Sequence, residues 1–147
     1  MSVYLPVIQG TFNVLPSSVR TATQIIVGAI LLAPVSNNSL VPPNPMVPDA
    51  SGLVAYLNVT AVPGTDTVQL VLEEQDPVSL VWSTVAATTA TAVTGMVRLK
   101  IKPSITAVAA TTTGVTVQDV LSAIWRLRVV HSAASNFTYS LGLVVYN

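Results

Sequence analysis

Apolar and polar positions fall into a regular pattern from residue 53 to the end of the chain. Residues 95–102 show it most plainly: Val97, Leu99 and Ile101 alternate with Arg98, Lys100 and Lys102. A period of two is what a strand needs to bury one face and wet the other. Residues 124–130 repeat it, with Trp125, Leu127 and Val129 set against Arg126 and Arg128. Further Val-, Leu- and Thr-rich runs at 53–61, 67–75, 80–86 and 137–146 are separated by turn residues and read as strands. Pro63-Gly64 predicts a type II turn that makes 67–75 the hairpin partner of 53–61, and Asp76-Pro77-Val78-Ser79 predicts the next turn. Pro103 ends the strand at 95–102. Residues 104–118 form a Thr/Ala/Val loop with room for one more short strand, and Asp119 is placed to cap a single helical turn through Ala123.

The first third is less regular. Residues 1–20 hold two short extended stretches, separated by Gly10 and closed by Pro16, and read as an arm or an edge strand. Residues 21–32 make a strand that Pro34 stops. Residues 34–52, PVSNNSLVPPNPMVPDASG, carry five of the ten prolines, so they can be neither helix nor central strand and should run as an extended strap. The expected fold class is all-β: an antiparallel β-sandwich or barrel, jelly-roll-like, of seven to nine short strands with an extended N-terminal arm. At 147 residues there is length for one core. The division is an arm at 1–20 and a single sandwich domain at 21–147 that includes the strap.

Composition changes the picture of the surface. Hydrophobic residues make up 51% of the chain and charged ones 8%, against roughly 25% charged in an ordinary soluble domain. A folded monomer of this mass exposes about 7,000 Å², which twelve charges cannot cover at normal density. The 17 Thr, 13 Ser and 26 Val must supply the rest. Such a surface favours contact with other proteins, so an oligomer or a part of a larger assembly is expected. Six basic and six acidic side chains cancel, which leaves no field to attract nucleic acid or an anionic membrane. No segment reaches the roughly 18 apolar residues of a membrane span, and the N-terminus lacks the pattern of a signal peptide.

Candidate chemistry is sparse. With no cysteine there are no disulfides, thiolate nucleophiles or Cys-type zinc sites. His131 is the one histidine, and at a strand end it reads as a hydrogen-bonded structural residue. Glu73 and Glu74 are neighbours on a strand and point to opposite faces, so they cannot act as an adjacent acid pair. The seven glycines are scattered and no serine sits in a nucleophile elbow. No catalytic residue, metal ligand or cofactor site is expected, and the chain reads as a non-enzyme. Trp82 and Trp125 read as core anchors. The two basic stripes, Arg98/Lys100/Lys102 and Arg126/Arg128, leave two readings open: cross-strand ion pairs with Glu73, or convergence on one sheet face that docks an acidic partner.

Two stretches carry a resemblance. Residues 53–82, LVAYLNVTAVPGTDTVQLVLEEQDPVSLVW, resemble a pattern of small virion structural proteins of tailed bacteriophages: an apolar strand reading LNVTAV, a Pro-Gly turn, a strand ending in acid-Gln-Asp, then Pro-x-Ser and an aromatic. Residues 125–145, WRLRVVHSAASNFTYSLGLVV, resemble the same proteins' Arg-x-Arg strand, polar turn and TYSLG strand. Leu80 departs from the pattern, since relatives often have Gly there, and the N-terminal third does not match.

The resemblance implies a capsid decoration, or cement, protein on the virion surface, made in the host cytoplasm. It would be a homo-oligomer, a trimer by preference, bound to the major capsid protein. The expected partner-binding residues are Tyr4, Leu5, Val7 and Phe12 in the arm, Val41, Pro42, Pro43 and Met46 in the strap, and Arg98, Lys100, Lys102, Arg126 and Arg128 on the stripes. A tail or baseplate component is one alternative. A glycan-binding module is another, which needs Trp82, Trp125 or some of Tyr4, Tyr56, Tyr139 and Tyr146 exposed in a row.

Overall fold

A computed structural model describes residues 8–27, 51–122 and 124–146. Nine strands form in chain order among the described residues: β1 (Ile8–Arg20), β2 (Gln24–Val27), β3 (Gly52–Ala61), β4 (Val68–Gln75), β5 (Trp82–Ala87), β6 (Gly95–Ile101), β7 (Gly114–Val117), β8 (Trp125–His131) and β9 (Phe137–Tyr146). There is no helix among the described residues. A five-stranded sheet has the order β1-β9-β3-β6-β7 and a four-stranded sheet the order β2-β8-β4-β5. Every pair is antiparallel except β6 with β7. The fold is the all-β, two-sheet arrangement expected from the alternating pattern.

One apolar core lies between the sheets. Phe137, Tyr139, Leu141, Leu143 and Val145 of β9 are fully buried, and Leu53, Leu57 and Leu99 join them from the same sheet. Val68, Leu70 and Leu72 of β4 and Trp125, Leu127 and Val129 of β8 meet them from the other. Each fully buried side chain of this size contributes about 1.5–3 kcal/mol relative to exposure. Residues 8–20 pair along β9, so the described part of the N-terminal segment is an edge strand. It continues through Pro16 to Arg20 instead of closing at Pro16. The pairing is irregular between Leu15 and Ser18, and a proline without an N–H is tolerated at such an edge irregularity.

Three local expectations are corrected. First, 67–75 is not the hairpin partner of 53–61. β3 pairs with β6 and β9, whereas β4 pairs with β5 and β8 in the other sheet. The Pro63-Gly64 segment carries the chain across the sandwich, because each strand finds its buried partner in a different layer. Second, the turn there is not type II about Pro63 and Gly64. Asp66 N donates to Pro63 O at 3.2 Å, which puts Gly64, at φ 57°, in the first central position. Positive φ at that place belongs to the primed turns that glycine permits.

Third, Asp119 caps no helical turn among the described residues. Its Oδ1 accepts from Val120 N at 2.8 Å, and Leu121 N donates outward to Ser51 O at 3.2 Å. Leu121 is buried in the core, so tertiary packing takes the donors a helix would have used. Leu80, the departure from the resembled pattern, is the one non-glycine residue with positive φ among those described, at 60°. A left-handed conformation costs a residue with a Cβ about 1–2 kcal/mol.

Candidate functional site

The two basic stripes fall on opposite outer faces of the sandwich. β8 lies inside the four-stranded sheet, and β6 lies in the five-stranded one. Convergence of both stripes on one face is therefore ruled out, and each has its own surroundings.

On the four-stranded sheet, Glu73 of β4 is paired directly with Arg126 and is itself 7% exposed. Arg126 Nε donates to its Oε2 at 2.5 Å and Arg128 Nη1 to its Oε1 at 3.0 Å. Burial pushes the Glu73 carboxyl up, but the hydrogen bonds and charges of the two arginines outweigh it, so its pKa lies below the ordinary value. The Arg126 guanidinium also lies 4.2 Å from the ring centroid of Trp82. Trp125 is a core anchor as expected. Trp82 is not: it is half-buried and stacks on the outer face. The cause is an extra residue in β5. Leu72 pairs with Ala86 but Glu73 pairs with Thr84, and this bulge turns the start of β5 outward. Arg128 Nε is buried without a partner, so the clamp is strong but incompletely satisfied.

On the five-stranded sheet, Arg98, Lys100 and Lys102 have no carboxylate within 4.0 Å among the described residues. Lys102 Nζ lies 5.7 Å from the Tyr146 ring centroid. Arg98 and Lys100 flank a cleft of about 230 Å³ whose other wall is Val108, Thr111 and residues 113–116. The described acidic residues are engaged elsewhere. Asp66 accepts from the Ser135 hydroxyl, Asp76 from Val78 N and the Ser79 hydroxyl, and Glu74 from Ser122 N. The Val78 amide, then the Ser79 hydroxyl, hold the Asp76 carboxyl below its ordinary value, outweighing a small desolvation.

A third polar group joins the sheets at one end. His131 Nε2 of β8 and the Tyr139 hydroxyl of β9 lie 2.9 Å apart, and His131 packs on Phe137 with ring centroids 4.4 Å apart. Arg20, which the sequence reading passed over, lies 4.8 Å from the Tyr139 ring centroid and donates from Nη1 to Tyr139 O and from Nη2 to Pro16 O. Burial, then the Arg20 charge, lowers the His131 pKa, while burial pushes the Tyr139 hydroxyl up to about 12. This is the structural, hydrogen-bonded role expected of the histidine. No cluster of three or more His, Cys, Asp or Glu side chains suited to a metal occurs among the described residues.

Tyr4, Leu5, Val7, Val41, Pro42, Pro43 and Met46 lie outside the described residues, as does most of the strap at 34–52. Phe12 sits on β1 opposite Leu143. The aromatic row needed for glycan binding does not form among the described residues. Trp125 and Tyr139 are in the core, Trp82 is covered by Arg126 on one face, and Tyr56 and Tyr146 belong to the other sheet. What the sequence reading missed is an exposed apolar end: Val78 is 90% exposed, and Leu80 and Val81 are 63% exposed. Ile124 is brought to the same end by a 3.0 Å bond from Gln75 N to its carbonyl. The signal was present as an uncharged Val-Ser-Leu-Val run after Pro77. No protein-family model matches the chain, and no curated protein is significantly similar to it.

Proposed function

We propose that this chain is a structural subunit of a tailed-bacteriophage particle, a capsid decoration protein that self-associates, as a trimer by preference, and clamps major capsid subunits. The observation that carries the reading is the apolar β4–β5 turn, where Val78, Leu80 and Val81 face solvent on a chain with few charges. Three apolar side chains at the tip of a hairpin are ordinary in a contact and costly in water. The turn holds them outward through Leu80 in a left-handed conformation, with Asp76 bonded to Val78 N and to the Ser79 hydroxyl beneath them. Support also comes from the resemblance of residues 53–82 and 125–145 to small virion proteins. The mechanism is repeated apolar burial. About 800 Å² of it per contact is worth about 20 kcal/mol gross, before large association costs.

Labelled antibody on purified particles tests the location, and sedimentation of the pure chain tests self-association. Label over the shell and a species larger than the 15.3 kDa monomer are expected. Label confined to the tail would transfer the reading to a tail component, and a monomer absent from particles would overturn it. Leu80→Gly sharpens the test. Relief of the left-handed strain, less the extra freedom of glycine in the unfolded chain, should stabilise the fold by about 0.5–1 kcal/mol while weakening attachment.

A further inference from the structure

We propose that the cleft between Arg98 and Lys100 of β6 and the rim formed by Thr111 and residues 113–116 is a docking site for a carboxylate side chain on an acidic segment of a partner protein. The inference goes beyond the virion reading and does not depend on it. Arg98 and Lys100 alternate with buried Val97, Leu99 and Ile101, so both point from the outer face into the same cleft. Neither has a carboxylate partner among the described residues, whereas the two arginines of the other stripe share Glu73. Two cations side by side, without a counter-charge, favour an anion from elsewhere.

Which anion follows from the backbone. Phosphate sites are built from unpaired N–H groups at a helix start or a nest, and the N–H groups of Val108, Thr111, Thr113, Gly114 and Thr116 on this rim are already used. Thr111 N donates to Gly114 O at 2.8 Å, Gly114 N to the Thr111 hydroxyl at 3.1 Å, and Thr113 N to the same hydroxyl at 3.3 Å. Thr116 N and Val108 O are 3.1 Å apart, and Val108 N donates in return to Thr116 O at 2.9 Å. The charged donors of the cleft are Arg98 and Lys100, with the hydroxyls of Thr113 and Thr116 beside them. A guanidinium fork with a neighbouring ammonium matches the two oxygens of a carboxylate. Val108, 56% exposed at the rim, offers an apolar surface for the methylene stem of Glu or Asp.

Size and charge point the same way. At about 230 Å³ the cleft is smaller than the usual small-molecule pocket and suits a side chain. A net charge of zero gives no long-range pull on nucleic acid. Gly114 permits the close wall, because a Cβ there would meet Arg98 O at 2.6 Å. The same loop covers the outer edge of β7, so a partner here binds through side chains and not by adding a strand.

The test uses the full chain and a dye-labelled hexaglutamate peptide, followed by fluorescence anisotropy, with amide chemical shifts to locate the site. Binding is expected to shift residues 98–100 and 111–116, to weaken about tenfold between about 20 mM and 500 mM salt, and to be absent with hexaglutamine. Arg98→Gln with Lys100→Gln should lose about tenfold in affinity with an unchanged thermal midpoint, and each single variant should lose part of it, while Lys102→Gln keeps full affinity. Equal binding by the double variant, shifts mapping elsewhere, or displacement of the peptide by an equal concentration of inorganic phosphate would each overturn the proposal.

Discussion

The outer face of the four-stranded sheet and that of the five-stranded sheet each present arginine or lysine at alternate positions, and they treat those charges in opposite ways. On the first, Glu73 lies between Arg126 and Arg128, Trp82 covers Arg126, and little of the carboxylate meets water. On the second, Arg98 and Lys100 line an open cleft and meet no carboxylate among the described residues. The contrast comes from the neighbour each strand acquires. β8 lies beside β4, which carries Glu73, while β6 lies between β3 and β7, which set Tyr56 and Gly114 beside Arg98 and Val54 and Thr116 beside Lys100. A charge that is matched and covered becomes structure, and a charge left unmatched at a cleft is available for binding.

The largest effect should come from breaking the matched face. Glu73→Ala leaves two arginines facing each other without a counter-charge and is expected to lower stability by about 3 kcal/mol, read as a fall in the urea midpoint. If it costs no more than Arg98→Gln does, the contrast between the faces is wrong. Next is the stacked pair: a double-mutant cycle of Trp82→Ala and Arg126→Ala should give a coupling of about 0.5–1 kcal/mol.

Acid should weaken the matched face and the His131 cluster at the other end of β8, and leave the open cleft untouched. The folded His131 pKa is below its ordinary 6.5, so the unfolded chain takes the proton first. Its contribution is complete above about pH 6.5 and declines as pH falls below that. Glu73, also lowered, contributes fully above about pH 4.5 and loses that contribution as pH falls further. Denaturation midpoints measured from pH 8 to pH 3 should show both steps, with His131→Gln removing the upper and Glu73→Gln shrinking the lower, to which the lowered Asp76 also contributes. The smallest effect is expected at the open cleft, where Arg98→Gln and Lys100→Gln should each stay within about 0.5 kcal/mol at every pH tested.

Much of the architecture was legible because a strand with one buried face writes period two into its residues. β6, β8 and β9 stand where the alternation placed them, and the turn at Asp76 connects β4 to β5 as expected. What was not legible is decided by distant partners. Pro63-Gly64 announces a change of direction but not which sheet the next strand will join. Trp82 faces outward because one bulged residue reverses the side chains of β5, and a bulge leaves no mark in the alternation. Asp119 has the chemistry of a cap, yet Ser51, far away in the chain, takes the amide of Leu121. At the candidate site the residues Arg98 and Lys100 were readable, while their lack of a carboxylate partner among the described residues depended on strand order.

That strand order also sets a timetable. β9 lies between β1 and β3, so the five-stranded sheet has no continuous middle until residues 137–146 have been made. Until then β1 lacks β9, the neighbour it has in its sheet among the described residues, and β3 lacks one of the neighbours described for it. Assembly of that layer therefore waits for its last-made strand and has long loops to close, slow by the standards of a helical domain of equal length. During the delay the β3 surface that β9 will cover stays open to whatever other chains are nearby.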